Sequence, residues 1–128
     1  MRQKAAEGGR PRCFVRSVGI LARRVDFLKA ARARHVSTPG FLLQARRRKT
    51  DEAAVGIRVG FTCSRKVGNA VTRNRARRRL REIARLILPQ RGQDGWDYVL
   101  IGRPKVTASR PFAALHVDLD IALRKVHA

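Results

Sequence analysis

The sequence is poor in negative charge, in cysteine and in long apolar runs. Only nine Asp and Glu occur in 128 residues. A metal-dependent nuclease built from its own side chains needs clustered carboxylates to hold Mg2+. The neighbouring pairs Asp51/Glu52 and Asp118/Asp120 fall in a charged link and on a predicted cover helix, so they supply no such cluster. Two cysteines, Cys13 and Cys63, stand far apart without a CxxC, and His35, His116 and His127 lie at no metal-ligand spacing. That argues against a zinc site and against a disulfide framework. No Ser/His/Asp or Cys/His set is legible, and no glycine-rich phosphate loop is present. No apolar run approaches the ~20 residues of a membrane helix, and Met1 to Arg12 lacks the apolar stretch of a signal peptide. The expectation is a cytoplasmic chain with no membrane partner, no small-molecule substrate and no catalysis by its own side chains.

What is abundant is arginine. The chain holds 24 Arg and 6 Lys, for a formal net charge of +21 and a pI of about 11.9. Such a surplus repels itself unless a polyanion neutralises it. Arg presents a planar fork of donors to phosphate and stacks on bases, whereas Lys is a point charge. RNA or DNA is therefore the first partner to consider. A hydrophobic share of 44% is ordinary for a globular chain and too high for full disorder.

Residues 1–17, with Gly8, Gly9 and Pro11 and no apolar period, read as a mobile basic arm. Residues 18–128 read as a single RNA-binding domain. A helical period runs from Leu21 to about Ala33, with Leu21, Val25 and Leu28 on one face and Phe27, Ala31 and Arg34 on an adjacent strip. Ser37-Thr38-Pro39-Gly40 breaks it. Phe41 to Arg46 predicts a short strand. Val55, Ile57, Val59, Phe61 and Cys63 then alternate with Gly56, Arg58, Gly60, Thr62 and Ser64, the period of a strand with one face in the core. Cys63 is expected there as a small buried hydrophobe. A basic loop, Ser64 to Asn69, leads into a long helix from about Ala70 to Leu88, ended by Pro89. Trp96 to Gly102 predicts a central strand buried on both faces. Thr107, Ser109 and Pro111 open a last helix whose apolar face carries Phe112, Leu115, Leu119, Ala122, Leu123 and Val126, with Asp118 and Asp120 on its other side. The order predicts an α+β two-layer sandwich, with helices packed on one side of a small sheet.

Ser64 to Arg85 concentrates the charge, with nine Lys/Arg and one acid in 22 residues. Arg77, Arg81 and Arg85 form a row at i, i+4 with no interleaved acid, an arrangement that destabilises an isolated helix by a few tenths of a kcal/mol per pair. Contact with a polyanion recovers that cost. A membrane-surface helix would line its other side with lipid-facing Trp, Phe or Leu, but here that side is a core stripe. A DNA reader would want several amides on one face, and Asn74 is the only one in the helix. A ribosomal or RNA-packing protein remains compatible with composition alone.

The string from Val59 to Glu82, Val-Gly-Phe-Thr-Cys-Ser-Arg-Lys-Val-Gly-Asn-Ala-Val-Thr-Arg-Asn-Arg-Ala-Arg-Arg-Arg-Leu-Arg-Glu, resembles the signature of the bacterial ribonuclease P protein subunit. That family shows a glycine-containing strand, then Ser-Lys-Lys-Val-Gly, Ala-Val and Arg-Asn-Arg. A weaker likeness extends from Asp26-Phe27 to the final helix. The resemblance implies a protein subunit whose partners are ribonuclease P RNA and precursor tRNA. In this family the RNA is the ribozyme that removes the 5′ leader, with Mg2+ held mainly by RNA. It also implies a sheet of about four strands in the order α-β-β-β-α-β-α, with a left-handed βαβ crossover that the usual handedness rule would not give. By position, Arg73, Asn74, Arg75, Arg78 and Arg81 would face the catalytic RNA, with Arg65 and Lys66 at the mouth of that region. Phe27, with Arg34, would border a leader cleft floored by Arg58 and Thr62. Arg65 replaces the family's first Lys, and Ala31 stands where many members carry a second aromatic.

Overall fold

The computed structural model describes residues 18–49 and 56–128. The predicted arm at 1–17 and the first residue of the alternating strand, Val55, lie outside the described residues. The sheet has five strands rather than four: β1 (Val18–Ile20), β2 (Arg34–Ser37), β3 (Phe41–Arg47), β4 (Ile57–Thr62) and β5 (Trp96–Gly102), in the spatial order β1-β4-β5-β3-β2. The strands β1, β4 and β5 run parallel to one another, and β3 and β2 add as antiparallel neighbours. Among the described residues there are four α-helices: α1 (Arg24–Ala31), α2 (Ala70–Arg91), α3 (Val106–Ser109) and α4 (Phe112–Val126). Adjacent parallel strands β4 and β5 are joined through α2, the βαβ unit that the family resemblance implies.

One sheet face makes the main core. Strand alternation sends Ile57, Val59, Tyr98, Leu100, Leu43 and Phe41 to the side where α2 supplies Leu80, Ile83 and Leu88 and α4 supplies Leu115, Leu119 and Leu123. Burying each such side chain contributes about 1.5–3 kcal/mol, which far outweighs the few tenths lost per Arg–Arg neighbour along α2. The predicted central position of β5 holds, with Tyr98, Val99 and Leu100 all buried. Asn69 caps α2, its side chain accepting from the Thr72 amide at 2.9 Å. Pro89 does not end that helix. It sits two residues before the helix end at Arg91, in the last turn, and leaves Gly92 to close the end by donating to the Leu88 carbonyl at 2.8 Å.

The expectation of helices on one side holds for α2 and α4, whereas α1 lies against the other face. It is shorter than the predicted 21–33 helix, and its exposed residues include Val25 and Leu28, while Asp26 and Ala30 are buried. The apolar period there was misleading because tertiary contacts decide the face. Asp26 meets Arg58 of β4 (3.6 Å), and the Phe27 ring lies over Gly60. The segment read as a helix end plus breaker is the β2–β3 hairpin. Thr38 makes its turn, the amide donating to the Phe41 carbonyl (2.9 Å) and the hydroxyl accepting from the Phe41 amide (3.0 Å). Gly40 is required by close approach, since a Cβ there would stand 2.5 Å from Leu115 Cδ2. The last helix is split into α3 and α4, and Asp118 is not on the solvent side. It is buried at 5% exposure and accepts from Arg110 Nε at 2.8 Å.

Candidate nucleic-acid interface

The Ser64–Asn69 loop leaves β4 through one 3-10 turn, Arg65–Val67. The Ser64 hydroxyl accepts from the Lys66 amide at 3.3 Å, and Val67 anchors the turn against Ala76 and Ala108. This arrangement leaves the Arg65 and Lys66 side chains exposed at the N-terminus of α2. Cys63 lies against both apolar clusters but is half-buried rather than buried, because the strand ends at Thr62. Burial pushes its thiol pKa up, and nearby Arg77 and Arg73 pull it partly back.

The arginines of α2 from Arg73 to Arg85 sort into three groups by their position around the helix. Asn74, Arg78, Arg81 and Arg85 are exposed and point away from the core stripe. Arg81 sits over the Phe61 ring, 5.8 Å from its centroid. Arg85 pairs with Glu82, the helix's only acid, which holds the Glu82 carboxyl below the usual carboxylate range. Arg73 and Arg77 lie beside the end of β4, and Arg77 donates to Asn74 Oδ1 at 3.2 Å. Arg75 and Arg79 have structural tasks. Arg75 Nε donates to the Ala108 carbonyl (3.0 Å), while Arg79 donates to the Thr107 carbonyl (3.1 Å) and to that of Arg110. They bind the backbone around α3 to α2, and Arg75 therefore combines a fold-holding bond with its place in the Arg-Asn-Arg sequence. Spacing alone does not separate these two from the outward set, because the acceptors come from residues some thirty positions later.

On the other sheet face the structure brings Phe27, Arg58 and Thr62 together and leaves Arg34 out. Phe27 is half-buried over Gly60. Arg58 forks onto Asp97, Nε to Oδ1 at 2.8 Å and an η nitrogen to Oδ2 at 2.7 Å. Its guanidinium is thus committed to a buried carboxylate, and only its flank contributes to an open floor. Asp97 also accepts from Arg48 at 2.5 Å, and Arg48 reaches the Trp96 and Gly56 carbonyls. Sequence reasoning missed Asp97 and Arg48. A lone acid inside an apolar strand was the available signal. Arg34 lies on the far edge strand, on the α4 side, and donates to the Val126 carbonyl at 2.5 Å.

Gly60 keeps the space that Phe27 occupies. In Gly60→Ala the new methyl would stand 2.6 Å from the Phe27 ring, so we expect the ring to swing outward and stability to fall by about 1–3 kcal/mol. Urea denaturation checks this, and an unchanged midpoint would show that the ring is already free to move. Among the described residues no three His, Cys, Asp or Glu side chains cluster to hold a metal ion, and no helix is long and apolar enough to cross a membrane.

A small α+β domain with an exposed, acid-poor arginine face is that of a basic nucleic-acid-binding protein. Comparison with known proteins gives the family. The family model described as Ribonuclease P matches residues 18–127. A curated relative named Ribonuclease P protein component, from Ruegeria pomeroyi, is 63% identical over 116 residues, covering 91% of this chain and 92% of that protein. Among solved structures, the RNase P protein of Thermotoga maritima superposes with a TM-score of 0.63 at 28% identity, covering 81% of this chain and 94% of that one. The RNase P protein of Staphylococcus aureus does so with a TM-score of 0.66 at 20% identity, covering 84% and 94%. The chain belongs to the ribonuclease P protein component family.

Proposed function

We propose that this chain serves ribonuclease P, in tRNA 5′ processing, as an electrostatic organiser. It binds the catalytic RNA through the outward face of α2 and the precursor's leader along the sheet face beside α1. The chemistry belongs to the RNA, which holds the Mg2+. The carrying observation is the outward face of α2, where Asn74, Arg78, Arg81 and Arg85 are exposed with a single acid between them. No described cluster of acids in this chain competes for a metal ion. Arg73, Arg65 and Lys66 extend the cationic surface to the loop before the helix. Their forks and ammonium groups offset phosphate repulsion where leader and catalytic RNA converge, which lowers the Mg2+ needed and orders the substrate.

Cleavage of a leader-bearing precursor tRNA at low Mg2+ tests this reading, using the organism's ribonuclease P RNA alone, the protein alone, and both together. Correct 5′ cleavage only in the combined reaction is expected. Cleavage by the protein alone would overturn the assignment of chemistry to RNA. With about 6–8 phosphates engaged, log K should fall against log salt with a slope of roughly −4 to −7, and a slope near zero would exclude the electrostatic account.

Phe27 offers an aromatic edge to the extended leader. Phe27→Ala is expected to weaken leader-bearing substrate by about 1–3 kcal/mol, the scale of one base–aromatic stack, and to leave mature tRNA unchanged. Equal weakening of both, measured by competition binding, would make Phe27 a packing residue only.

A further inference from the structure

The end of the sheet remote from the Ser64–Asn69 loop carries a second concave basic surface, on the α4 side. Strand register assembles it. Arg34 pairs with Ala45, Ala45 with Tyr98, and Arg47 with Trp96, so their side chains leave one face in two successive rows. The helix α4 stops at Val126, just short of them. His127 then meets Trp96 in a T-shaped ring contact, with centroids 4.6 Å apart, and its Nε2 lies 2.7 Å from the Tyr98 hydroxyl. The result is an open groove of about 510 Å³, lined among others by Arg34, Arg47, Gln93, Trp96 and His127, with no Asp or Glu side chain along it among the described residues.

Two features make this more than a solvated edge. Arg47 is exposed and has no ion-pair or hydrogen-bond partner among the described residues, although its neighbours Arg46 and Arg48 are both engaged with Asp97. It stands directly across the ladder from Trp96, which is only partly covered. An aromatic ring flanked by arginine forks is the combination that takes a base by stacking and its phosphates by charge-assisted hydrogen bonds. His127 supports the same reading. Burial, and then Arg34, lower its pKa, and its ring is held in the cluster by Trp96 and the Tyr98 hydroxyl.

We propose that this groove is a second binding site for single-stranded RNA, with one base against Trp96 and the flanking phosphates on Arg34 and Arg47. It is separate from the α2 face and from the Phe27 side of the sheet. The chain would then hold RNA at both ends of its sheet.

Trp96 is the only tryptophan of the chain, so its emission reports on the groove directly. The full-length protein is titrated with an oligouridylate of about six nucleotides, within the usual span of a single-strand site. Inorganic polyphosphate and an oligoglutamate are run in parallel. We expect the oligouridylate to quench Trp96. Arg47→Gln should weaken that binding about tenfold and make the salt slope shallower by roughly 0.7, one single-strand phosphate contact. Arg78→Ala/Arg81→Ala should leave the quenching constant within about twofold. Circular dichroism confirms that Arg47→Gln folds, and Arg47→Lys should recover part of the affinity. The proposal is overturned if the oligouridylate does not quench, if the α2 variant loses quenching while Arg47→Gln keeps it, or if polyphosphate or oligoglutamate quenches equally. Any of these outcomes alongside intact precursor cleavage would remove this site and leave the proposed function standing.

Discussion

Asp97→Ala is expected to lower the stability of the folded chain by about 3–5 kcal/mol, the scale for breaking a buried ion pair by removing one partner. The carboxylate is fully buried and lies within 2.8 Å of donors from both Arg48 and Arg58. Its loss takes the Asp97 charge away from the Arg48 guanidinium, which is itself almost wholly buried. Much of the marginal stability of a domain this size would go with it. The effect reaches function as well, because Arg58 links Asp97 to Asp26 of α1 and so holds that helix over the sheet. Guanidinium denaturation measures the loss. A change under about 1 kcal/mol would mean that water enters the site and screens the charges. Asp97→Asn, which keeps the shape and part of the hydrogen bonding, should fall between the two.

The double variant Arg73→Ala/Arg78→Ala should weaken assembly with ribonuclease P RNA about 10- to 100-fold at moderate salt, the sum of two net contributions of about 0.7–1.4 kcal/mol each. The salt slope should become shallower by roughly 1.4–1.8. Folding should survive, since neither side chain belongs to the buried set of α2, which comprises Ala76, Leu80, Ile83, Ala84, Ile87 and Leu88. Removing two like charges from the helix would even favour the isolated fold by a few tenths of a kcal/mol. Circular dichroism together with RNA titration separates the outcomes. Lost helicity with unchanged intrinsic affinity would mean that these arginines hold the fold instead. Arg75 and Arg79 are the contrasting pair, because their bonds to the Ala108 and Thr107 carbonyls make a folding defect the expected result there.

The sequence by itself determined the elements with strong periods. The alternation of β4, the apolar run of β5 and the stripe of α2 each exceed what a few tenths of a kcal/mol of local propensity can override, and all three elements formed, with α2 running past Pro89 to Arg91. The +21 charge and the Ser64–Glu82 string likewise set the partner class, and they single out α2 as the proposed contact element. Short elements were not legible. A three-residue strand such as β1 and a four-residue strand such as β2 carry too few residues for a period to register, and each exists because a sheet edge supplies its hydrogen bonds.

Tertiary structure alone decided which charges are free. Arg58, Arg75 and Arg79 look like Arg78 and Arg81 in the sequence, yet the first three meet a buried carboxylate or orphan carbonyls brought in from remote positions. It also decided that Asp26 and Asp118 are buried, and that Arg34 leaves Phe27 to join Trp96 at the other end of the sheet. The physical reason is the same in each case. A guanidinium on a flexible stem takes whichever acceptor the fold brings within hydrogen-bond reach, and strand pairing across dozens of residues, which no local period encodes, chooses that acceptor.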